Sequence, residues 1–389
     1  MPVKSVAIIG AGVAGLTAAL SFARLGVRSD IVEQASALTE VGAGLQISPN
    51  AARILAELDV LTDIESQWTE PDSIELASGL SLKTLMSLPV GETARSRWGA
   101  PYGVLHRATL QNALLAAVRR NPLCHLHLGK RITNPSRAEI AQQTLVEPDL
   151  IIGADGVWSS VRYAVPNSPM ATFSGNIAWR FMVKSEAAPD FLNSRSVTAF
   201  LGPKGHVVAY PLKEIGGFNI VAIAMGTNPG DTWKAESSGQ QQAMLRHQFR
   251  NWHPAFSKLF ETTTQPTFWP LYQAGIGNWH NGRDTVLIGD AAHAMMPFAA
   301  QGAAMAIEDA FELADFAADT LPLPEMLAAF EAHRTPRIDK ARKRAALNKF
   351  AYHARGPLRI GRNFVLSMRP SEAFLADFDW LYGYRAKGL

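Results

Sequence analysis

The feature that most restricts how this chain can fold is a glycine-rich turn, Gly10-Ala11-Gly12-Val13-Ala14-Gly15, wedged between a strand-like and a helix-like segment. Residues 4–9 (KSVAII) form a continuous apolar, β-branched run, the pattern of a parallel strand covered on both faces. A helix is expected from about residue 13; its apolar and small residues continue through Ala23 and Leu25, and Gly26 ends it. Residues 27–32 (VRSDIV) make the next strand and complete a βαβ unit. In that setting the glycines have a physical role, because the loop must turn tightly and let backbone amides approach a pyrophosphate, whose charge the helix N-terminus favours. Glu33 closes the second strand, where a carboxylate can hold ribose hydroxyls and repel a 2′-phosphate. These residues point to FAD or NAD as ligand rather than NADP.

A chain of 389 residues exceeds one core of ordinary size, so a second domain or a large insertion is expected. Residues 108–119 have helical apolar spacing, and residues 149–154 (DLIIGA) form another buried strand ending in a glycine-bearing turn, a pattern repeated at 285–289 (TVLIG). Between those strands, residues 207–212 and 217–225 read as strands separated by KEIG, a hairpin-like pair in an antiparallel sheet. The expected organisation is a nucleotide domain of residues 1–72, 97–172 and 278–340, interrupted by a substrate domain of residues 73–96 and 173–277. The remaining segment, 341–389, belongs to a tail rich in Arg, Lys and Ala, read as helical and either solvated or docked, without a binding role.

Composition narrows the function classes. Hydrophobic residues at 47% and charged residues at 18% are the balance of a soluble globular enzyme. The net charge is only +3 and the basic residues do not gather into a run with interleaved aromatics, which argues against nucleic acid as a partner. A lone cysteine, Cys124, excludes an internal disulfide and a zinc site built on paired cysteines, and fits a reducing compartment. Val3 to Leu20 is not read as a signal peptide, because glycines at 10, 12 and 15 break it and it lacks a basic n-region. No uninterrupted apolar segment approaches the roughly 20 residues that span a bilayer, so no membrane partner and a cytoplasmic location are expected.

Two later segments decide between FAD and NAD. Residues 149–162, DLIIGADGVWSSVR, resemble the Asp-Gly motif of the flavin-dependent aromatic hydroxylases of the para-hydroxybenzoate hydroxylase class, with Asp155, Gly156, Ser159 and Arg162 at its positions. Residues 283–309, RDTVLIGDAAHAMMPFAAQGAAMAIED, look like that family's Gly-Asp motif. With the phosphate loop, the resemblance carries three motifs in the family's order and reaches to about residue 340. It implies an α/β fold: a Rossmann-like FAD-binding domain interrupted by an α+β substrate domain with an antiparallel sheet, then a C-terminal helical tail. The implied cofactor set is Gly10, Gly12, Ala14, Gly15, Glu33, Gln34, Arg107, Asp155, Asp290, Pro297, Gly302 and Ala303, holding FAD, with NADH or NADPH as transient reductant. Independent physics agrees at three places. Asp290 ends a strand where a carboxylate can accept a hydrogen bond from a ribityl or ribose hydroxyl, and residues 302–306 open a helix whose amides can face the flavin. A cation at a helix start, as at Arg107, is favourable only beside an anion such as phosphate. The form Pro297-Phe298-Ala299-Ala300-Gln301-Gly302 has alanine at 300 where the family often has glycine. It resembles the subgroup with 3-hydroxybenzoate 6-hydroxylase, 6-hydroxynicotinate 3-monooxygenase and salicylate hydroxylase.

The resemblance implies hydroxylation of a small aromatic substrate, hydroxybenzoate-like or hydroxypyridine-like, with NAD(P)H and O2 through a flavin C4a-hydroperoxide. The protein's share is positioning, water exclusion and proton handling. A phenolate is the better nucleophile, so a base near neutral pH is useful, and histidine suits it. His206 and Tyr210 lie in GHVVAYPL, read as the start of the first substrate-domain strand, and alternation puts His206, Val208 and Tyr210 on one face. The resemblance makes this pair catalytic and substrate-binding, adds Gln46 of 41–47 (VGAGLQI) on the substrate side, and adds Gln301 as a third catalytic residue. Trp179, Trp269 and Trp279 are read as packing, and His293 as structural beside the flavin loop, with no metal site. Competing readings keep FAD but change the reaction to epoxidation, halogenation or dehydrogenation, or make the chain a catalytically silent flavin binder. The W-x-W-x-I-P motif of flavin halogenases is missing, and a homodimer is left open.

Overall fold

The computed structural model describes residues 3–38, 43–228, 237–263 and 266–389. The chain opens with β1 (Ser5–Ile9), α1 (Val13–Arg24) and β2 (Arg28–Glu33), the unit that its periodicity predicts. Next come β3 (Gly44–Ile47), α2 (Pro49–Glu57), α3 (Leu61–Glu65), β4 (Ser73–Ser78), β5 (Thr84–Pro89) and α4 (Gly91–Trp98). They lead to β6 (Gly103–His106), α5 (Arg107–Arg120), β7 (Cys124–Leu128), α6 (Arg137–Thr144) and β8 (Leu150–Gly153). The central stretch contributes β9 (Ala171–Lys184), β10 (Ser196–Gly202), β11 (Gly205–Leu212), β12 (Gly217–Met225), α7 (Gly239–Phe249), α8 (Pro254–Thr262) and β13 (Thr267–Ala274). The chain then returns through β14 (Thr285–Leu287), α9 (Asp290–His293) and α10 (Gly302–Ala318), and finishes in α11 (Leu323–Tyr352), α12 (Gly356–Met368) and α13 (Ser371–Tyr382).

Five strands form a parallel sheet in the order β14-β8-β1-β2-β7. Strand β8 is buried throughout and β1 from Val6 onward, which is why both read as unbroken apolar runs. Helix α1 packs against α5 and α10, and β14 joins the sheet by pairing Thr285 with Ile151.

A second, seven-stranded sheet has the order β13-β9-β12-β11-β10-β4-β5. It is antiparallel except for one parallel pair, β10 with β4, because β4 enters from an earlier excursion of the chain and not from a hairpin. On one face Trp179, Phe181, Phe200, Val207 and Phe218 pack against Phe249, Phe256 and Phe260 of α7 and α8. Trp179 is wholly buried there and its Nε1 donates to the Gln241 carbonyl, so it is a packing residue. The other face carries Leu201, Val208, Tyr210 and Ile223 toward the parallel sheet and the C-terminal helices.

One expectation needs correction. Strand β11 is not the first of its sheet: β4, β5, β9 and β10 precede it, and it lies in the interior between β10 and β12. Those earlier strands mix polar and apolar residues, as in SIELAS and ATFSGNIAWRFMVK, so periodicity does not single them out. The tail is helical and docked, one of its two expected arrangements. Helix α11 passes residue 340 without a break, and Phe374, Leu375, Leu381 and Tyr382 of α13 enter the main core. Arg97 and Arg53 of the body tie the tail down, bonding Asp379 at 2.7 Å and the carbonyl of Tyr382 at 2.7 Å, while its own Arg369 and Arg344 pair with Asp377 at 2.7 and 3.7 Å.

Candidate active site and cofactor cleft

The phosphate loop is shaped by close approach. A Cβ on Gly15 would sit 1.9 Å from the Gly10 carbonyl oxygen, so no side chain fits there. A Cβ on Gly12 would meet nothing within 4 Å, which leaves the amide end of α1 open to an anion. Glu33 borders this opening, its Oε2 accepting from the Ala11 amide at 2.9 Å and its Oε1 from the Ala35 amide at 2.8 Å. A carboxylate has lone pairs left over from two such bonds for ribose hydroxyls. Gln34 beside it is exposed. Buried Gln111 of α5, which no motif singled out, donates to the Ala11 carbonyl at 3.3 Å and steadies the loop.

The Gly-Asp motif meets this loop at Gly289. Its φ of 57° belongs to glycine, and a Cβ there would lie 3.2 Å from that of Ala14 and 3.1 Å from that of Ala306. Asp290 follows, exposed, and its carboxylate accepts no hydrogen bond from the described residues. The Asp-Gly motif clamps it from behind: Arg162 donates to the carbonyls of Ala291 and Asp290 at 3.0 and 3.1 Å and to that of Val157 at 2.8 Å. Asp155 Oδ2 accepts from the amides of Ser160 and Val161 at 2.7 and 3.2 Å, while its Oδ1 is buried without a partner. Arg107 is the first residue of α5, half-buried, with its amide bonded to the Ala43 carbonyl at 2.9 Å. Pro297 opens a short turn to Ala299, and Gly302 and Ala303 begin α10, where a Cβ on Gly302 would again meet nothing within 4 Å. These residues fit FAD: two open amide ends, an unmatched buried oxygen at Asp155 and an uncommitted carboxylate at Asp290. Ala300 sits at a φ of 52°, a left-handed conformation, which gives a backbone reason for the glycine often found there in the family.

A buried ionic cluster supports the Gly-Asp strap, residues 289–302, from below. Arg334, with no exposed surface, reaches Asp309 at 2.8 Å, Glu312 at 2.8 Å and Glu308 at 2.9 Å, and Arg337 reaches Glu308 at 2.6 Å. Asp309 also accepts from the Gly289 amide at 2.9 Å and pairs with His293 at 2.5 Å. Burial alone would raise the Asp309 carboxyl, but His293 and Arg334 outweigh it and bring the pKa to about 2. His293 thus has a structural partner, and Trp279 packs on its ring at 5.0 Å.

Gln301 is held in the interior. It is only 2% exposed; its Nε2 donates to Ser48 Oγ at 3.1 Å and its Oε1 accepts from Asn50 Nδ2 at 3.4 Å. Asn50 in turn donates to Glu308 at 2.7 Å. At the start of α10, Gln301 lies against the start of α2, and its amide joins the network that runs through Ser48 and Asn50 to Glu308.

The residues expected on the substrate side gather around β11. A Cβ on Gly44 would meet the Tyr210 ring at 2.6 Å, and the Gly44 amide donates to Asn219 Oδ1 at 2.8 Å. The segment 41–47 therefore meets Tyr210 through Gly44, although residues 41 and 42 lie outside the described residues. Gln46 Oε1 accepts from the Tyr102 hydroxyl at 2.6 Å. His206, 1% exposed, lies 5.1 Å from the Phe298 ring and 5.2 Å from that of Tyr352, and its Nδ1 is 3.0 Å from Nε2 of His353. Tyr382 lies 6.0 Å from Tyr102, ring to ring. Trp269 packs on the same side of the sheet, with Met296 and Phe298. Sequence reading brought out His206, Tyr210 and Gln46 but missed Tyr102, Tyr352, His353 and Tyr382; for the last three, aromatic residues in a basic tail were the only signal, and for Tyr102 there was none.

Electrostatics keeps these groups uncharged. Burial, then the neighbouring phenols of Tyr382, Tyr210 and Tyr352, holds the Tyr102 hydroxyl well above its ordinary pKa, and burial raises Tyr210 likewise. Burial, then His353, pushes His206 well below the usual imidazole value; burial, then Lys349, takes His353 down to about 4. The site thus offers neutral hydroxyls and two neutral imidazoles near pH 7.

Comparison with known proteins agrees with this geometry. The family profile described as FAD binding domain matches residues 4–345. A 3-amino-4-hydroxybenzoate 2-monooxygenase of Streptomyces platensis is 34% identical over 393 residues, spanning 98% of this chain and 96% of that protein. The 3-hydroxybenzoate 6-hydroxylase 1 of Aquipseudomonas alcaligenes is 31% identical, spanning 98% of each chain. The crystal structure of Klebsiella pneumoniae HpxO complexed with FAD and uric acid shares the fold, with a TM-score of 0.80 at 24% identity over 96% of this chain and 95% of that one. The chain therefore belongs to the FAD-binding-domain family and is an FAD-dependent monooxygenase of the aromatic hydroxylase class.

Proposed function

We propose that this enzyme hydroxylates a small hydroxybenzoate-like or hydroxypyridine-like substrate, with His206 removing the phenolic proton, Tyr210 orienting the ring and Gln46 contacting the substrate. The observation that carries the reading is the tilted ring contact of His206 and Phe298 at 5.1 Å, which joins the face of β11 to the turn leading into α10. FAD, when bound, would supply the redox chemistry: hydride acceptance from NADH or NADPH and activation of dioxygen. In this reading Gly10, Gly12, Ala14 and Gly15 admit its pyrophosphate, Glu33 and Gln34 its ribose, and Arg107 its charge. Asp155 and Asp290 then serve its hydroxyl-bearing chain, and Pro297, Gly302 and Ala303 its ring. Neutral His206 accepts the phenolic proton, the Tyr210 hydroxyl donates a hydrogen bond to the oxygen left behind, and Phe298 and Tyr352 exclude water.

Residues 73–96 and 173–277, which carry the seven-stranded sheet, act in this reading as the substrate domain. Residues 1–72, 97–172 and 278–340 act as the FAD-binding domain, and 341–389 close over the substrate side. A cytoplasmic enzyme is inferred from the free Cys124. No helix among the described residues is long and apolar enough to cross a membrane. A homodimer is proposed on the exposed Phe364, Val365 and Met368 of α12, and sedimentation velocity tests it.

A panel of hydroxybenzoates and hydroxypyridines, scored for stimulated NADH oxidation and for product mass, tests the substrate class; a panel without any stimulating member rejects it. His206→Ala is expected to retain FAD and accept hydride while hydroxylation falls on the order of 10²-fold and more hydrogen peroxide appears per NADH. Higher pH should restore part of the loss. Hydroxylation that stays coupled with an unaltered pH profile would reduce His206 to a packing residue.

A further inference from the structure

A base as enclosed as His206 can act once only if the proton it accepts has somewhere to go. Its ring is held between Phe298 and Tyr352, and its Nε2 makes no hydrogen bond with the described residues. The opposite nitrogen, Nδ1, lies 3.0 Å from Nε2 of His353. His353 is the residue that ends α11, partly open to solvent, and Phe298 packs on its ring at 5.4 Å, so one phenyl group holds both imidazoles in register. Two neutral imidazoles that close share a single proton, since one nitrogen must donate and the other accept.

We propose that His206 and His353 form a two-ring relay that carries the phenolic proton from the bound substrate to the protein surface. The proposal rests on the role of His206 given above. As the phenolic O–H bond breaks, Nε2 of His206 gains that proton and Nδ1 of His206 yields its own to Nε2 of His353. Nδ1 of His353 then releases a proton to water. One proton enters and one leaves, both rings end neutral with their tautomers exchanged, and no electron moves between them. The surroundings favour transfer over storage: Lys349 of α11 disfavours a cation on His353, Tyr352 and Tyr210 beside the pair are neutral, and no carboxylate among the described residues contacts either ring. His353 is thus a positioning and transfer residue acting through His206.

The test uses FAD-loaded protein with His353 intact, His353→Gln and His353→Phe. Glutamine preserves a hydrogen bond to His206 but cannot pass a proton along, whereas phenylalanine preserves only the packing. Stopped-flow mixing with 3-hydroxybenzoate in weak buffer, with an indicator dye, reads proton release without turnover. Both variants should hold FAD and release the proton on the order of 10²-fold more slowly, and imidazole should restore the rate in His353→Gly. Without any phenol, 15N imidazole spectra of the same samples should show His206 protonated on Nδ1, a preference lost in His353→Phe. Release from His353→Gln at the unaltered rate and pH profile overturns the relay, as does a His206 spectrum indifferent to His353. An unaltered enzyme that binds 3-hydroxybenzoate without releasing a proton instead overturns the role of His206 itself. If this phenol does not bind, the spectra decide.

Discussion

From Ser5 to Ala35 one uninterrupted stretch makes the phosphate loop, its helix and the Glu33 bonds, whereas the cluster proposed as the substrate side draws Gly44, Tyr102, His206, Phe298, Tyr352 and Tyr382 from separate segments. At the first end the working groups are backbone amides and the sequence mainly has to stay out of their way. At the second they are side chains, and each is placed by the packing of an element that starts elsewhere. A site of amides should respond to a single added carbon in an all-or-none fashion, and a site of distributed side chains in graded steps.

The largest effect expected is at Gly15. Gly15→Ala forces a methyl against the Gly10 carbonyl, so the purified protein should lack FAD and melt early, while Gly12→Ala, with open space around it, should fold as before and lose only cofactor affinity. Flavin absorbance and thermal melting separate the two, and equal melting temperatures for both would break the contrast. Next, Glu33→Gln and Asp290→Asn each remove an anionic acceptor worth about 1.5–3 kcal/mol, so FAD titration of the apoprotein should show losses of roughly ten- to a hundredfold. Smaller still, Tyr102→Phe deletes the bond to Gln46, worth about 0.5–1.5 kcal/mol, and should raise KM severalfold with FAD affinity untouched. A change in FAD affinity there would mean that the two ends are one unit.

The gentlest test is pH. His206 and His353 are held neutral below the ordinary imidazole pKa, so between about pH 6.5 and 4 the unfolded chain binds more protons than the folded one. This contribution to stability is complete above that window and is lost as pH falls through it. His353→Gln should flatten the slope of unfolding free energy against pH by up to about 1.4 kcal/mol per unit, read from denaturant titrations across the window.

How much of this was legible follows the same division. The loop, Glu33 and the His206-Val208-Tyr210 alternation were readable because strand and turn periodicity fixes them locally. Gln301 was readable as a motif member, yet a motif does not say which way the side chain of a capping residue turns; Ser48 and Asn50 decide that. Tyr352, His353 and Tyr382 sit in a stretch whose many arginines suggest a solvated surface. Only the fold reveals that Arg337 is spent on Glu308, and Arg344 and Arg369 on Asp377. Charge composition counts residues, not partners.

The register of β14 on β8 also bears on how the protein is made. Thr285 must find Ile151, and Arg162 must find the carbonyl of Ala291, before the strap over the cofactor exists. A chain still emerging from the ribosome with everything through β13 complete would carry a finished phosphate loop beside an open edge on β8. Such long-range closure is slow, and an unpaired apolar edge invites pairing with another chain in the meantime. The cofactor, able to seat fully only after that closure, would then act as a late latch, and yield in the cell should follow flavin supply.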